Sequence, residues 1–248
     1  MFLIVYISIM IDEKENNYIE VYLKDLPSKG VFYNKDVYIK VRPFSRSEME
    51  YMNNFDTKDN FMKQLQKLEY SLYGVKTNMD KLDFCYTDVY YLFYIMYILT
   101  YPEINIIYDN TEILYPLNPK DFLYTNQSFS KPEDLFYEKE NLTFYLPSLY
   151  NMSKANENII TSAVQGAFEN KDLNIAERMS LVPYLQKNKI SDSALEFVNQ
   201  HMMSFSNEDI EDMRTFINSK ENLILGQESK IKHKNEDVNI LIQLNQLI

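Results

Sequence analysis

The run Val89–Leu99 (VYYLFYIMYIL) constrains this chain more than any other segment. It is apolar on every side of a helix, so a helix here has to be buried all round. About 20 apolar residues are needed to cross a bilayer, so the run is too short for a membrane span and reads as a core helix. Asp88 precedes it, where a negative charge suits the helix dipole, and Thr87 is placed to cap it. Tyr101-Pro102 ends it.

On the N-terminal side, residues 18–23 alternate around a β-branched and aromatic run, and Val37–Val41 forms a second strand that Pro43 ends. Leu26-Pro27-Ser28-Lys29-Gly30 between them is turn chemistry, since Pro fixes φ and Gly permits φ > 0. The two strands make a hairpin or neighbours. Ser45 or Ser47 can cap a helix starting near Glu48, and Phe61, Leu65, Leu68 and Leu72 share one helical face.

Residues 102–150 hold Pro102, Pro116, Pro119, Pro132 and Pro147, with β-like runs at Ile104–Tyr108 and Leu142–Leu146. From Ser153 the pattern is helical. Its stripes are Ile159, Ile160, Ala163, Val164 and Ala167, then Leu181, Val182 and Leu185, then Leu195, Val198 and Met202. Ser206 with Asp209 resembles a capping box before Ile210, Met213 and Ile217. Residues 226–237 read as a polar linker, and Val238–Ile248 as a terminal helix with an apolar stripe. The expected class is therefore α+β: an N-terminal strand hairpin packed on helices (1–101), a small irregular β insertion (102–150) and a helical C-terminal part (151–248). Met1–Ile11 (MFLIVYISIMI) lacks a basic leader and a small-residue cleavage site, which argues against a signal peptide. It reads as a buried strand, or as residues preceding a true start at Met10.

Chemistry-bearing patterns are scarce. The four glycines make no phosphate-cradling loop, and the two histidines, His201 and His233, form no paired ligand set. Cys85, the single cysteine, sits between Phe84 and Tyr86 and reads as a small buried hydrophobe in a chain from a reducing compartment. The acid pairs Asp134/Glu138 and Glu208/Asp212 are indistinguishable from surface charge. We expect no catalytic residue, metal, cofactor or small-molecule substrate. Residues 22–46 interleave Lys24, Lys29, Lys35, Lys40, Arg42 and Arg46 with Tyr22, Phe32, Tyr33, Tyr38 and Phe44, which could stack bases. Asp25, Asp36 and a net charge of -11 oppose the field a nucleic-acid binder needs, which favours an ordinary sheet with one solvated face.

Leu26–Gly30, Tyr33, Val41-Arg42-Pro43-Phe44 and Glu48, followed by Thr87–Leu92 and Tyr101-Pro102, resemble the baseplate hub and hub-assembly proteins of T-even-like contractile-tailed phages. In that family an LPSKG-type turn precedes a strand ending in a VRPF-type motif and a helix, then a central aromatic helix ending in Tyr-Pro. The likeness covers roughly residues 20–102. Many relatives carry a cysteine-bearing, zinc-like insertion after this helix. Residues 102–150 have no cysteine, so that site does not carry over. The resemblance implies a hub subunit or an assembly chaperone, in the host cytoplasm during assembly or in the tail baseplate, whose partners are other tail proteins or a second copy of itself. Arg42 before Pro43 suits a bidentate carboxylate contact, within the chain or to a partner. Lys29 and Gly30 are candidate contacts or simply a turn, and Leu241, Leu244 and Ile248 are candidate contacts on the terminal stripe, which docks on a partner or on its own core.

Overall fold

A computed structural model describes residues 18–53, 61–108, 111–118, 122–124, 135–164, 173–190, 193–220, 224–233 and 236–243. Met1–Ile11, Ala167, Leu244 and Ile248 lie outside the described residues. The fold is α+β.

The central helix α3 (Tyr86–Thr100) follows from its all-round apolar sequence: Val89, Leu92, Phe93, Ile95 and Met96 are all buried. It begins one residue before Thr87. Cys85 takes the N-cap position, and the Thr87 hydroxyl is buried without a hydrogen-bond partner, so the expected Thr87 cap is corrected. On one side of α3 lies a three-stranded antiparallel sheet, β1 (Ile19–Glu20), β2 (Ile39–Val41) and β3 (Val75–Thr77), in that order. The two expected strands are thus neighbours. The first is shorter than the alternation suggested, because the chain turns into a 3-10 turn at Leu23–Asp25. Ile39, Val41 and Val75 face the core, and Lys40 between them is exposed.

Helices α1 (Arg46–Asn53) and α2 (Phe61–Ser71) close this first core. Leu65, Leu68 and Leu72 of the expected face are buried, while Phe61 at its start is exposed. After α3 the chain makes an antiparallel hairpin, β4 (Glu103–Tyr108) and β5 (Thr111–Pro116), closed at its base by the Leu117 amide donating to the Pro102 carbonyl at 2.8 Å. A short strand β6 (Phe122–Tyr124) and a small pair, β7 (Phe136–Tyr137) with β8 (Leu142–Thr143), follow.

The second core belongs to α4 (Leu149–Val164), α5 (Leu173–Leu185), α6 (Ala194–His201) and α7 (Asn207–Lys220). Leu181, Val182, Val198, Met202, Ile210, Met213 and Ile217 are buried as their stripes predict. The α4 stripe is the exception. Ile160, Ala163 and Val164 are exposed, and the buried face instead runs through Leu149, Asn151, Ala155 and Ser162. Of the expected stripe only Ile159 packs on the second core, because the buried face mixes Leu149 and Ala155 with the polar Asn151 and Ser162. Asn151 donates to the Asn188 carbonyl at 3.0 Å and accepts from the Ile190 amide at 3.0 Å, so that it staples the segment after α5. Leu149 at the start of α4 packs in the first core and Ala155 in the second, so this helix joins the two.

The C-terminal reading is corrected. Within the described residues the expected linker and helix are both strand: β9 (Ile224–His233) and β10 (Glu236–Gln243) form an antiparallel ladder, with β6 on the other side of β9. Val238, Ile240 and Ile242 recur every second residue and are β-branched, which suits a pleated strand at least as well as a helical stripe. A partner strand two residues upstream, joined by Lys234-Asn235, decides the matter.

Candidate functional site

The motif residues converge on the N-terminus of α3. In the turn Leu26–Gly30, Lys29 and Gly30 have φ of 55° and 69°, the left-handed region. A Cβ on Gly30 would come within 2.6 Å of the Leu23 Cβ, so both backbone angle and space require glycine there. The turn is locked from below. The Asp88 carboxylate accepts from the Ser28 amide at 2.9 Å, from the Ser28 hydroxyl at 2.6 Å and from the Tyr33 hydroxyl. Tyr33 in turn accepts from the Cys85 amide at 2.8 Å, satisfying one of the orphan donors of the first helical turn. Asp88 and Ser28 are fully buried.

Burial pushes the Asp88 carboxyl up to about 6, against the pull of its Ser28 and Tyr33 donors. The same burial, with the charge of Asp88, drives the Tyr33 phenol well above the ordinary tyrosine range. At neutral pH Asp88 is an ionised acceptor surrounded by donors. None of these groups is left over for a substrate: each polar atom named is engaged with another, and the unit is enclosed.

The second motif, Val41–Phe44 with Glu48, forms the corner between β2 and α1. Arg42 makes a two-pronged contact with Glu48, both prongs 2.7 Å, and also donates to the Pro43 carbonyl. Glu48 additionally accepts from the Ser45 amide at 2.7 Å, while the Ser45 hydroxyl accepts from the Glu48 amide at 3.3 Å. Ser45 and Glu48 are therefore a reciprocal capping box. Burial raises the Glu48 carboxyl, but Arg42 and Ser45 outweigh it and hold it below the usual range. Phe44 is buried, its ring 5.4 Å from that of Phe93, and its amide donates to the Thr100 hydroxyl at 2.8 Å. The corner thus fastens to the far end of α3.

Of the six candidate contact residues, Lys29 is exposed at the tip of the locked turn, Gly30 is buried inside it, and Arg42 is committed to Glu48. Leu241 lies in β10 opposite Glu228. Leu244 and Ile248 lie outside the described residues. The structure does not bring Leu241 together with the turn or the corner in any sheet: β10 pairs with β9 alone among the described strands. Sequence reasoning missed the partnership of Asp88 with Ser28, which are 60 residues apart.

A shallow open cleft of about 500 Å3 lies between α1 and α2, lined by Tyr51, Gln66, Tyr70, Tyr73, Lys81 and Leu82. Tyr51 and Tyr70 pack at 4.1 Å between centroids, and the Lys81 ammonium donates to the Leu72 carbonyl at 2.8 Å. Lys67, in the same helix, is buried with its ammonium 5.7 Å from the Phe93 ring centre, and desolvation lowers its pKa. Among the described residues no group of three His, Cys, Asp or Glu side chains is placed to hold a metal ion, and no helix is long and apolar enough to cross a membrane. Cys85 is buried, and His201 is exposed with its ring 4.8 Å from that of Phe197. Of the acid pairs, Asp212 pairs with Lys139 at 2.8 Å, and Asp134 lies outside the described residues.

Comparison with protein-family models, with curated proteins and with solved structures finds no match to this chain in any of the three.

Proposed function

We propose that the chain is a baseplate hub protein, or a hub-assembly chaperone, of a contractile-tailed phage, and that it works by binding other proteins and not by catalysis. The observation that supports this reading most is how the resemblance residues are used. Ser28 with Asp88, Arg42 with Glu48, and Phe44 with Phe93 link the LPSKG turn, the VRPF corner and the aromatic helix into one interlocked unit. Residues that resemble a family in three separate stretches are thereby explained as one scaffold, and a scaffold is what a structural or assembly protein needs. The unit is closed: its one serine hydroxyl beside a carboxylate, Ser28 on Asp88, is fully buried with its partner. Its setting would be the host cytoplasm during assembly, and the tail baseplate if it stays in the particle.

Genes for tail sheath, tube and tape-measure proteins beside its own support the reading, and mass spectrometry of purified virions separates its two forms. A hub subunit is present in the particle at stoichiometric level, whereas a chaperone is absent from it yet co-purifies with hub proteins from infected cells. Absence from both overturns the proposal.

A nucleic-acid module is the alternative. Exposed Tyr22, Tyr38 and Lys40 favour it, but Tyr33 and Phe44, two of the rings it would use, are engaged inside the fold.

A further inference from the structure

Two exposed surfaces of this chain complement each other. The first is the β4–β5 hairpin. The register sets Ile107 opposite Glu112 and Asn105 opposite Leu114, and facing residues of an antiparallel pair share a side of the ribbon. That side therefore carries Ile107 and Leu114, 69% and 59% exposed, next to Glu112. Residues 103–116 contain three acids, Glu103, Asp109 and Glu112, and no Lys, Arg or His. Among the described residues the hairpin pairs with no third strand. An isolated two-stranded ribbon is marginal in water, and exposed apolar side chains on it mark a docking surface.

The second surface is the outer face of the β1–β2–β3 sheet. Ile39, Val41 and Val75 point inward, so Lys40 and Lys76, directly opposite each other in the register, lie on the solvent side. Tyr38 and Tyr22, 42% and 55% exposed, flank them. Lys24 sits 5.6 Å over the Tyr22 ring and Lys76 5.2 Å over the Tyr18 ring. Glu20, opposite Lys40, is the one acid in the row, and at the rim Lys24 and Lys35 stand beside Asp25 and Asp36. In a chain of net charge -11, a ring-bearing face with two lysines to one glutamate is the natural counterpart of an acidic, aliphatic ribbon. Hairpin against hairpin would instead set Glu103 and Glu112 against the same acids of the other copy.

We propose that copies of this chain associate head to tail, the β4–β5 hairpin of one copy docking on the lysine–tyrosine face of the β1–β2–β3 sheet of the next. Such a contact joins two different surfaces, so it propagates into a ring where the rotation closes and into a filament where it does not. The inference rests on the reading that the chain works through protein contacts, and names one of those contacts.

Sedimentation velocity over a concentration series tests it with three proteins: the wild type, a hairpin variant (Ile107→Ser with Glu112→Gln) and a face variant (Tyr38→Ser with Lys40→Glu). All four positions are exposed, and an unchanged melting temperature shows that each variant is folded; Leu114→Ser is an independent hairpin variant should the first misfold. The wild type is expected to form species larger than a dimer at low salt that shrink as salt rises. Each variant alone is expected to be monomeric. Their mixture is expected to give a one-to-one dimer and stop there, since only one intact hairpin–face pair remains. A monomeric wild type, variants that still self-associate, or a mixture that stays monomeric would overturn the proposal. So would binding of a thymidine oligonucleotide that Lys40→Glu abolishes, which assigns the face to nucleic acid. A monomeric wild type that still co-purifies with tail proteins refutes self-docking alone and leaves the proposed function standing.

Discussion

Asp88 shows how far one residue's role can sit from its neighbours in sequence. Its position before an apolar run is legible as a helix-start signal. Its partnership with Ser28 and Tyr33 is not, because nothing local in either segment encodes a contact across 60 residues. By contrast the Ser206–Asp209 box spans three residues and is legible, as is Ser45 as one of two candidate caps of α1. Asp88 also gives a pH signature. Its folded pKa, about 6, lies above the ordinary 3.8, so the fold prefers the protonated form. The stability this contributes is fully present below pH 3.8, falls as pH rises, and is lost above about 6. Asp88→Asn removes the titration. Urea midpoints of wild type relative to this variant should therefore decline through that window and stay constant above it, and a flat difference would show that Asp88 titrates as if exposed. At pH 7 the variant should still be the less stable by about 1–3 kcal/mol, because its amide NH2 meets donors where an acceptor stood. Phe44, packed on Phe93, is a simpler case: Phe44→Ala should cost about 3–5 kcal/mol in denaturant unfolding, and a variant as stable as its parent would place the ring outside the core.

At the scale of elements, strongly periodic segments are readable where burial alone sets the pattern. The Ile210/Met213/Ile217 stripe is of this kind, and the α3 run is readable by being apolar on every side. Two elements defeat the pattern for different reasons. In α4 the stripe catches Ile159, which packs on the second core, but Ile160, Ala163 and Val164 face solvent, and the spacing misses Asn151, a polar residue whose side-chain partners lie more than 30 positions away. In the last strand, Val238, Leu241 and Ile242 fit a helical stripe while Val238, Ile240 and Ile242 fit a strand, and only the presence of β9 resolves the overlap. The consequence is testable. Truncation after His233 removes β10 and leaves β9 with an open edge along its length, so the shortened chain should lose solubility or melt at a lower temperature. A truncated protein that melts and dissolves like the full chain would mean that the ladder adds nothing to the fold.

For the whole molecule, α3 and the helices after residue 149 each gather a core, and α4 carries residues of both. Tyr33 packs against both cores and Cys85, at the start of α3, belongs to the second. Polar ties add to these: the Tyr86 amide donates to the Pro147 carbonyl at 3.0 Å, and Lys189 bridges Asp80 and Asp83 at 2.6 and 3.2 Å. What the sequence leaves unreadable at this scale is which surfaces remain open once the elements pack, because exposure is a property of the assembled chain. Ser28, Gly30, Phe44 and Asp88 of the motifs are buried, and the hairpin and the outer sheet face remain as the exposed contact surfaces we assign. The proposed role of this closed scaffold is to serve protein partners in a phage tail. The most direct measurement is affinity purification of the tagged full chain from infected cells, with mass spectrometry of what accompanies it. The account predicts tail and baseplate hub proteins at near-stoichiometric levels, retained at moderate salt; recovery of the chain with nucleic acid, or with no tail protein at all, would contradict it.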